Sequence, residues 1–334
     1  KKITKIARYR TPFIYCARNL LWKIGKWKSS NLNNWLDDFN PEVVYYASGD
    51  YAFSYEVALY IAKQRKIPLV IGCYDDFYIG KRKSWNPLYH VNYYHLMKQA
   101  RKTFAYASVF TAVSEMMTKE YENLFKKKGY TLYTPSELLC ETIQLGKKSK
   151  RIVYTGNLGY GRAEQLIDLG KAIKSLNLND ISCIDVYSGE IRTEITDKLN
   201  LENGIRFHGT VSSEEVKEII KTSMLVIHTE SFSKNNKQRV KFSVSTKIAD
   251  CLASGTCILA YGPKEVASIA YLENNNAAFV ITNKHELKNQ LEIIINSEIQ
   301  RDKLVKNALY LAKVNHNIEK NKKIVTKIVN EATL

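Results

Sequence analysis

Residues 152–162 read Ile-Val-Tyr-Thr-Gly-Asn-Leu-Gly-Tyr-Gly-Arg. An apolar run of strand length ends at Thr155, a loop carrying Gly156, Gly159 and Gly161 follows, and a helical pattern starts beyond Arg162. A strand that feeds a helix through a glycine turn is the opening unit of a parallel α/β sheet, since parallel strands need a crossover between them. The same alternation continues outward. Strands are expected at Ile184–Tyr187, Ile205–Phe207, Leu225–His228, Cys257–Ala260 and Ala278–Ile281, with helices near 163–176, 213–222, 246–254 and 284–297. Six strands with intervening helices make a complete doubly wound domain.

Upstream, Glu42–Ala47, Pro68–Tyr74 and Val109–Val113 read as strands, with helices near 54–66, 89–106 and from an N-capping Ser114 to about Lys127. Three or four strands in 150 residues are an incomplete set, and two further βα units imply roughly 60–90 residues before Lys1. The basic, polar stretch Gln144–Arg151 is the expected linker. It separates a first domain over 1–146, incomplete at its start, from a second over 147–334 whose last helix packs back on the first. The fold class is therefore α/β, with two Rossmann-like doubly wound domains.

Composition excludes other classes. Charged residues are 25% and hydrophobic ones 45% of 334 residues, the balance of a globular chain rather than a disordered one. No apolar run approaches the ~18 residues of a membrane span. Six cysteines stand apart without a CxxC or CxxH spacing, which argues against zinc and a disulfide framework and fits a reducing, cytoplasmic setting. The net charge of +17 is uneven: residues 1–150 carry 25 basic and 12 acidic side chains, residues 151–334 carry 25 and 21. A polyanionic partner for the first half is implied, whether nucleic acid, anionic membrane or acidic saccharide. No acidic residue precedes Asp37, and Tyr9, Phe13, Tyr15, Trp22, Trp27 and Trp35 interleave with the cations. Such a segment either lies in a membrane interface or packs Leu20, Leu21, Ile24 and Trp27 on the domain core.

Three segments of the second half carry the chemistry expected of a nucleoside diphosphate site. In the glycine loop, Gly156, Asn157, Gly159 and Gly161 let backbone N–H groups approach a phosphate, and Arg162 can grip its oxygens. In Ser243–Asp250, Ser245 or Thr246 is placed to cap a helix, with Lys247 in its first turn and Asp250 one turn later. A lysine there opposes the helix dipole, which an anionic ligand explains, and Asp250 can accept from ribose hydroxyls. The third segment, Val226–Ser231, ends a strand where α/β ligands bind, which places Glu230 and Ser231; a lone His228 there is more often structural than catalytic. In the first half, Asp75 and Asp76 also follow a strand, but neighbouring strand side chains point to opposite faces, which disfavours a metal.

At these residues the chain resembles the retaining glycosyltransferases of family 4, which have the GT-B fold of two domains facing a cleft. Gly156-Asn-Leu with Arg162-Ala163 is similar to the family's glycine loop, Arg162 standing for the lysine on the donor diphosphate and Asn157 for an arginine. Phe207-His-Gly-Thr-Val211 is similar to the stretch before the nucleotide-lining helix, and Ser245–Gly255 to the helix beside diphosphate and ribose. Asp250 matches the second of two family glutamates, while Phe242 occupies the first position, so Glu230 or a backbone group is the candidate to replace it. Asp75 and Asp76 fall where relatives have a histidine near the sugar, on the acceptor side. The resemblance implies transfer of a sugar from a UDP- or GDP-sugar, with retention, to a saccharide or lipid-linked saccharide of a bacterial surface polysaccharide such as a capsule. It implies no metal or other cofactor, Arg162 and Lys247 as the catalytic cations, and a cytoplasmic enzyme peripheral to the membrane. A nucleotide-sugar 2-epimerase on the same fold is the alternative. A nucleic-acid binder is disfavoured, because the cations are dispersed over helices without a recognised motif.

Overall fold

Short strands, most of them apolar and followed by a helix, build two separate parallel sheets in the computed structural model, which describes residues 11–80, 84–138 and 148–333. The first compact unit contains the described residues up to Leu132 and those from Lys323 onward. It opens with α1 (Pro12–Ile24) and α2 (Ser30–Phe39), then runs β1 (Val44–Ala47), α3 (Ala52–Arg65), β2 (Leu69–Cys73), α4 (Pro87–Tyr106), β3 (Val109–Ala112), α5 (Glu115–Phe125) and β4 (Gly129–Thr131). The strands pair in the order β1-β2-β3-β4, all parallel. β2 is buried along its whole length, as its continuous apolar sequence requires of a central parallel strand. Ser114 caps α5, its Oγ accepting from Met117 N at 3.1 Å.

The second unit covers Tyr133–Lys322. It contains β5 (Ser149–Thr155), α6 (Arg162–Ser175), β6 (Ile184–Tyr187), α7 (Thr193–Thr196), β7 (Ile205–Gly209), α8 (Ser213–Thr222), β8 (Ser223–Thr229), α9 (Lys234–Val240), α10 (Lys247–Ala253), β9 (Cys257–Tyr261), α11 (Ala267–Asn274), β10 (Phe279–Ile281), α12 (Leu287–Asn296) and α13 (Glu298–Asn315). The last helix, α14 (Ile318–Thr333), starts here and ends in the first unit, where Ile328 packs with Val70 and Val109. The sheet order is β10-β9-β8-β5-β6-β7, the full doubly wound arrangement, with a core on each face.

Among the elements that escape the periodicity reading, three do so for clear physical reasons. β4 is three half-buried residues with no apolar run. α9 buries only Val240, so Lys234–Val240 carries no amphipathic stripe and reads as loop. α11 buries most of its circumference, which erases the stripe from the other side. The units also divide at residues 132 and 133, not at 146 and 147: Tyr133 stacks on Tyr271 at 4.7 Å and Leu138 is buried in the second core. Most of the linker stretch Gln144–Arg151 lies outside the described residues, and Ser149–Arg151 already belong to β5.

The packing expected for the basic opening segment is only partly realised. Residues 1–10 lie outside the described residues. Within α1, Tyr15 donates to Asp50, Asn19 to Asn92 at 3.0 Å, and Trp22 stacks on Phe53 at 4.4 Å. Trp27 sits edge-on to Tyr60. Leu20, Leu21 and Ile24 do not reach the core; with Phe13 they are 58–67% exposed, because the polar and aromatic face of the helix takes the inner side. No helix among the described residues is long and apolar enough to cross a membrane.

Candidate functional site

In the second sheet the chain leaves β5 towards β6 on one side and leaves β8 towards β9 on the other. Connections that part in opposite directions open a crevice beyond the C-terminal ends of these two strands. Thr155 and the glycine loop stand at the end of β5, and Thr229 and Glu230 at the end of β8.

The loop is shaped by what presses on it. Gly156 has φ +152° and donates its N–H to Tyr187 O at 2.9 Å. A Cβ there would stand 2.3 Å from Lys247 Nζ, so the absence of a side chain is what admits the ammonium. Gly161, at φ +79°, is the N-cap of α6, and no side chain caps it. A Cβ at 161 would meet Ser231 Oγ and Asn236 Nδ2, each at 2.6 Å. Asn157 works for the loop itself: its Oδ1 accepts from Gly159 N, and its carbonyl accepts from Tyr154 OH, both at 2.6 Å. Ser231 is buried, its Oγ accepting from Ser233 N at 3.2 Å.

Arg162 is the first residue of α6, and it reaches across the crevice to Glu230. Its Nε and Nη2 donate to the two carboxylate oxygens at 3.2 and 2.9 Å, a bidentate pair with Glu230 almost fully buried. Burial raises the Glu230 carboxyl above its ordinary range, and the guanidinium offsets this only in part. Glu230 is thus fully engaged, while three of the five guanidinium N–H donors remain. His228 lies nearby but is buried, with Nε2 2.9 Å from Ser268 Oγ. Burial, seconded by the Arg162 charge, pushes its ring down to about 3, so it is neutral and structural.

Lys247 opens α10 and holds its ammonium 3.0 Å from Thr155 O. Burial lowers its pKa from the usual lysine value. The expected cap is absent: Thr246 is itself in the helical region and makes no side-chain cap bond, and the turn starts with Ile248 N donating to Ser245 O at 3.0 Å. One turn on, Asp250 Oδ1 accepts from Ser136 Oγ at 2.6 Å. A cavity of about 200 Å³ is lined by both Arg162 and Lys247, together with Ser245, Thr246 and His228. A larger one of about 720 Å³ shares Lys247, Thr155 and Asn157 with it and extends to Asp250, Glu190 and Thr210.

Sequence reasoning missed part of this lining. The loop after β6 supplies Ser188, Gly189 and Glu190; its position beyond a strand's C-terminal end was the available signal. Arg192 grips Glu190 through Nε and Nη2 and holds its carboxyl down at about 2. Asn236, Ser136 and Glu137 were likewise not singled out.

Asp76, expected on the acceptor side, is engaged by its own loop. Its carboxylate takes the N–H groups of Tyr78, Ile79 and Gly80 at 3.0, 3.1 and 2.7 Å and the Tyr121 hydroxyl at 2.8 Å. It therefore anchors the loop after β2. Asp75 is exposed beside it, and both belong to the first unit, whereas the donor-side residues belong to the second. Phe242 is fully buried, which explains an apolar residue there in place of a carboxylate. No group of three or more His, Cys, Asp or Glu is placed to hold a metal ion among the described residues.

No protein-family model and no curated protein matches the chain. Solved structures do. HepE from Anabaena in complex with UDP matches with a TM-score of 0.65 at 14% identity, over 87% of this chain and 79% of that one. WaaG, a glycosyltransferase involved in lipopolysaccharide biosynthesis, matches at 0.58 and 13%, over 83% and 82%. A point mutant of S. aureus TarM, in complex with fondaparinux, alpha-GlcNAc-glycerol and UDP, matches at 0.62 and 12% over 87% of this chain. The fold is GT-B. The chain spans 55% of the length of the TarM chain, and at these identities the likeness establishes the fold alone.

The Gly156–Lys247 contact makes a prediction independent of any ligand. Gly156→Ala must push the ammonium off Thr155 O and towards water, so the Lys247 pKa should rise back towards the ordinary lysine value. NMR titration of ¹³Cε-labelled lysines checks this; an unchanged Lys247 titration would contradict the geometry.

Proposed function

We propose that this protein is a glycosyltransferase that transfers a sugar from a nucleoside-diphosphate sugar, with retention at the anomeric carbon, to a saccharide or lipid-linked saccharide of a bacterial surface polysaccharide. The observation that carries the reading is the placement of two cations, half-buried Arg162 and exposed Lys247, on one small cavity beside the glycine loop. Departure of a nucleoside diphosphate builds negative charge on its terminal phosphate. Cations and backbone N–H groups fixed in advance lower that barrier, because they need no reorganisation as the charge appears. In this reading the free N–H donors of Arg162, the Lys247 ammonium and the uncapped start of α6 meet the diphosphate. Asp250 takes the ribose hydroxyls, and the side chains of the larger cavity surround the rest of the nucleoside. The reading calls for no metal ion and assigns no protein nucleophile. An epimerase needs acid and base groups converging on the sugar; His228 is neutral and tied to Ser268, and Glu230 is spent on Arg162.

The reading extends to a membrane-peripheral location. Phe13, Leu20, Leu21 and Ile24 form an exposed apolar stripe on α1, Trp35 and Phe39 stack in the open on α2, and Lys23 and Lys26 flank them. Rings and aliphatic chains at the acyl boundary with cations on anionic headgroups would bring the enzyme to a lipid-linked acceptor. Co-sedimentation with anionic vesicles should succeed at low salt and fall off in Leu21→Asp and Ile24→Asp variants. Undiminished binding by both variants, or none by the parent, counts against the location and leaves the transferase reading standing.

For the donor site, thermal-shift and calorimetric titration with a panel of UDP- and GDP-sugars should find one nucleotide class that stabilises the protein. Lys247→Ala and Asp250→Ala should each weaken its binding about ten- to a hundred-fold, the worth of a charge-assisted hydrogen bond of ~1.5–3 kcal/mol. Parent-like affinity in both variants would defeat the assignment.

A further inference from the structure

The segment Tyr133–Leu138 ends against the large cavity, and its backbone is fastened at several points. Asn321 Nδ2 donates to Tyr133 O at 2.7 Å, and the Tyr133 ring stacks on Tyr271. His316 Nδ1 lies 2.6 Å from Thr134 O, which makes that nitrogen the N–H. Its Nε2 then accepts from Tyr271 OH at 3.0 Å, so the buried ring is satisfied on both sides in its neutral form. Ser136 N donates to His316 O at 2.9 Å, fixing the backbone of the residue that touches Asp250.

Ser136 is buried, and its hydroxyl has one orientation available. Leu138 N donates to Oγ at 3.0 Å, so the single hydroxyl hydrogen goes to Asp250 Oδ1 at 2.6 Å. That separation is typical of a charge-assisted O–H···O⁻ bond. Asp250 Oδ2 has no protein donor among the described residues, and Asp250 lines the large cavity. One oxygen is held by the protein and the other is left to accept.

We propose that Ser136 is a positioning residue that presents Asp250 to the ribose diol of the bound nucleotide, an assignment that rests on the donor reading above. A carboxylate on a helix surface samples several rotamers, and a hydrogen bond from a backbone-anchored hydroxyl selects one of them before the ligand arrives. The sugar hydroxyl then donates to Oδ2 without the entropic cost of immobilising the side chain.

Calorimetry with UDP, GDP and their 2′,3′-dideoxy analogues reads this directly. The parent should prefer the ribose form of its nucleotide by about ten- to a hundred-fold, the span of a hydrogen bond to a charged group. Ser136→Ala should collapse that preference to within about threefold, leave affinity for inorganic pyrophosphate unchanged, and be rescued by Ser136→Thr. Should Ser136→Ala fail to fold, Ser136→Cys, similar in size but a weak donor, should show the same collapse. A Ser136 variant that binds the nucleotide with the parent's full preference overturns the positioning role alone. A parent that binds neither UDP nor GDP overturns the donor reading, and this inference with it.

Discussion

Lys247 can hold its ammonium 3.0 Å from the Thr155 carbonyl only because residue 156 has no side chain and adopts φ +152°, a conformation that favours glycine. That one contact joins the end of β5 to the start of α10, two elements 92 residues apart in sequence. It draws a partly buried cation into the crevice that the strand order opens. Desolvation of the ammonium so placed lowers its pKa from the ordinary lysine value. Arg162 follows the same logic from the other direction. Its charge is balanced by buried Glu230 in the absence of a ligand, so it stays folded against the crevice instead of extending into water. The two cations are held at the crevice by different means, Lys247 on a backbone carbonyl and Arg162 on a carboxylate.

The first unit solves a different problem with similar economy. Tyr55, Tyr78 and Tyr121 are buried together, and buried hydroxyls need partners. Tyr55 OH pairs with Tyr78 OH and with Gly49 O, and Tyr121 OH donates to Asp76. Asp76 therefore serves the loop and the tyrosine core at once. This role was not read from the sequence because a carboxylate just past a strand end has two satisfying fates, a ligand or the backbone N–H groups of its own turn. Sequence does not distinguish them. The helix α1 buries no residue in the core of this unit, which leaves its apolar stripe in the open.

Local signals account for most of what was legible. The β5–α6 unit, the α8 pattern over 213–222 and the run of six strands follow from period and length, and the doubly wound order follows from that succession. Lys247 and Asp250 were legible as one face of a short helix, and Gly156 and Arg162 as parts of one loop. Pairings between distant segments were not legible. The Arg162–Glu230 pair spans 68 residues and the Ser136–Asp250 bond 114, and neither side chain announces its partner. The same limit moved the domain boundary: Tyr133 and Leu138 read as part of the first domain until the core that buries them is known. Phe242, a departure from the resembled family's carboxylate, is explained by its complete burial.

The central claim is that a nucleoside diphosphate sits over the glycine loop between Arg162, Lys247 and Asp250. A crystal structure of the protein grown with UDP or GDP tests it most directly. The account predicts phosphate oxygens within hydrogen-bond reach of Lys247 Nζ, an Arg162 N–H not used by Glu230, and the ribose on Asp250. A nucleotide bound at another place on the second unit, with the Lys247 ammonium still resting on Thr155 O alone, would contradict it.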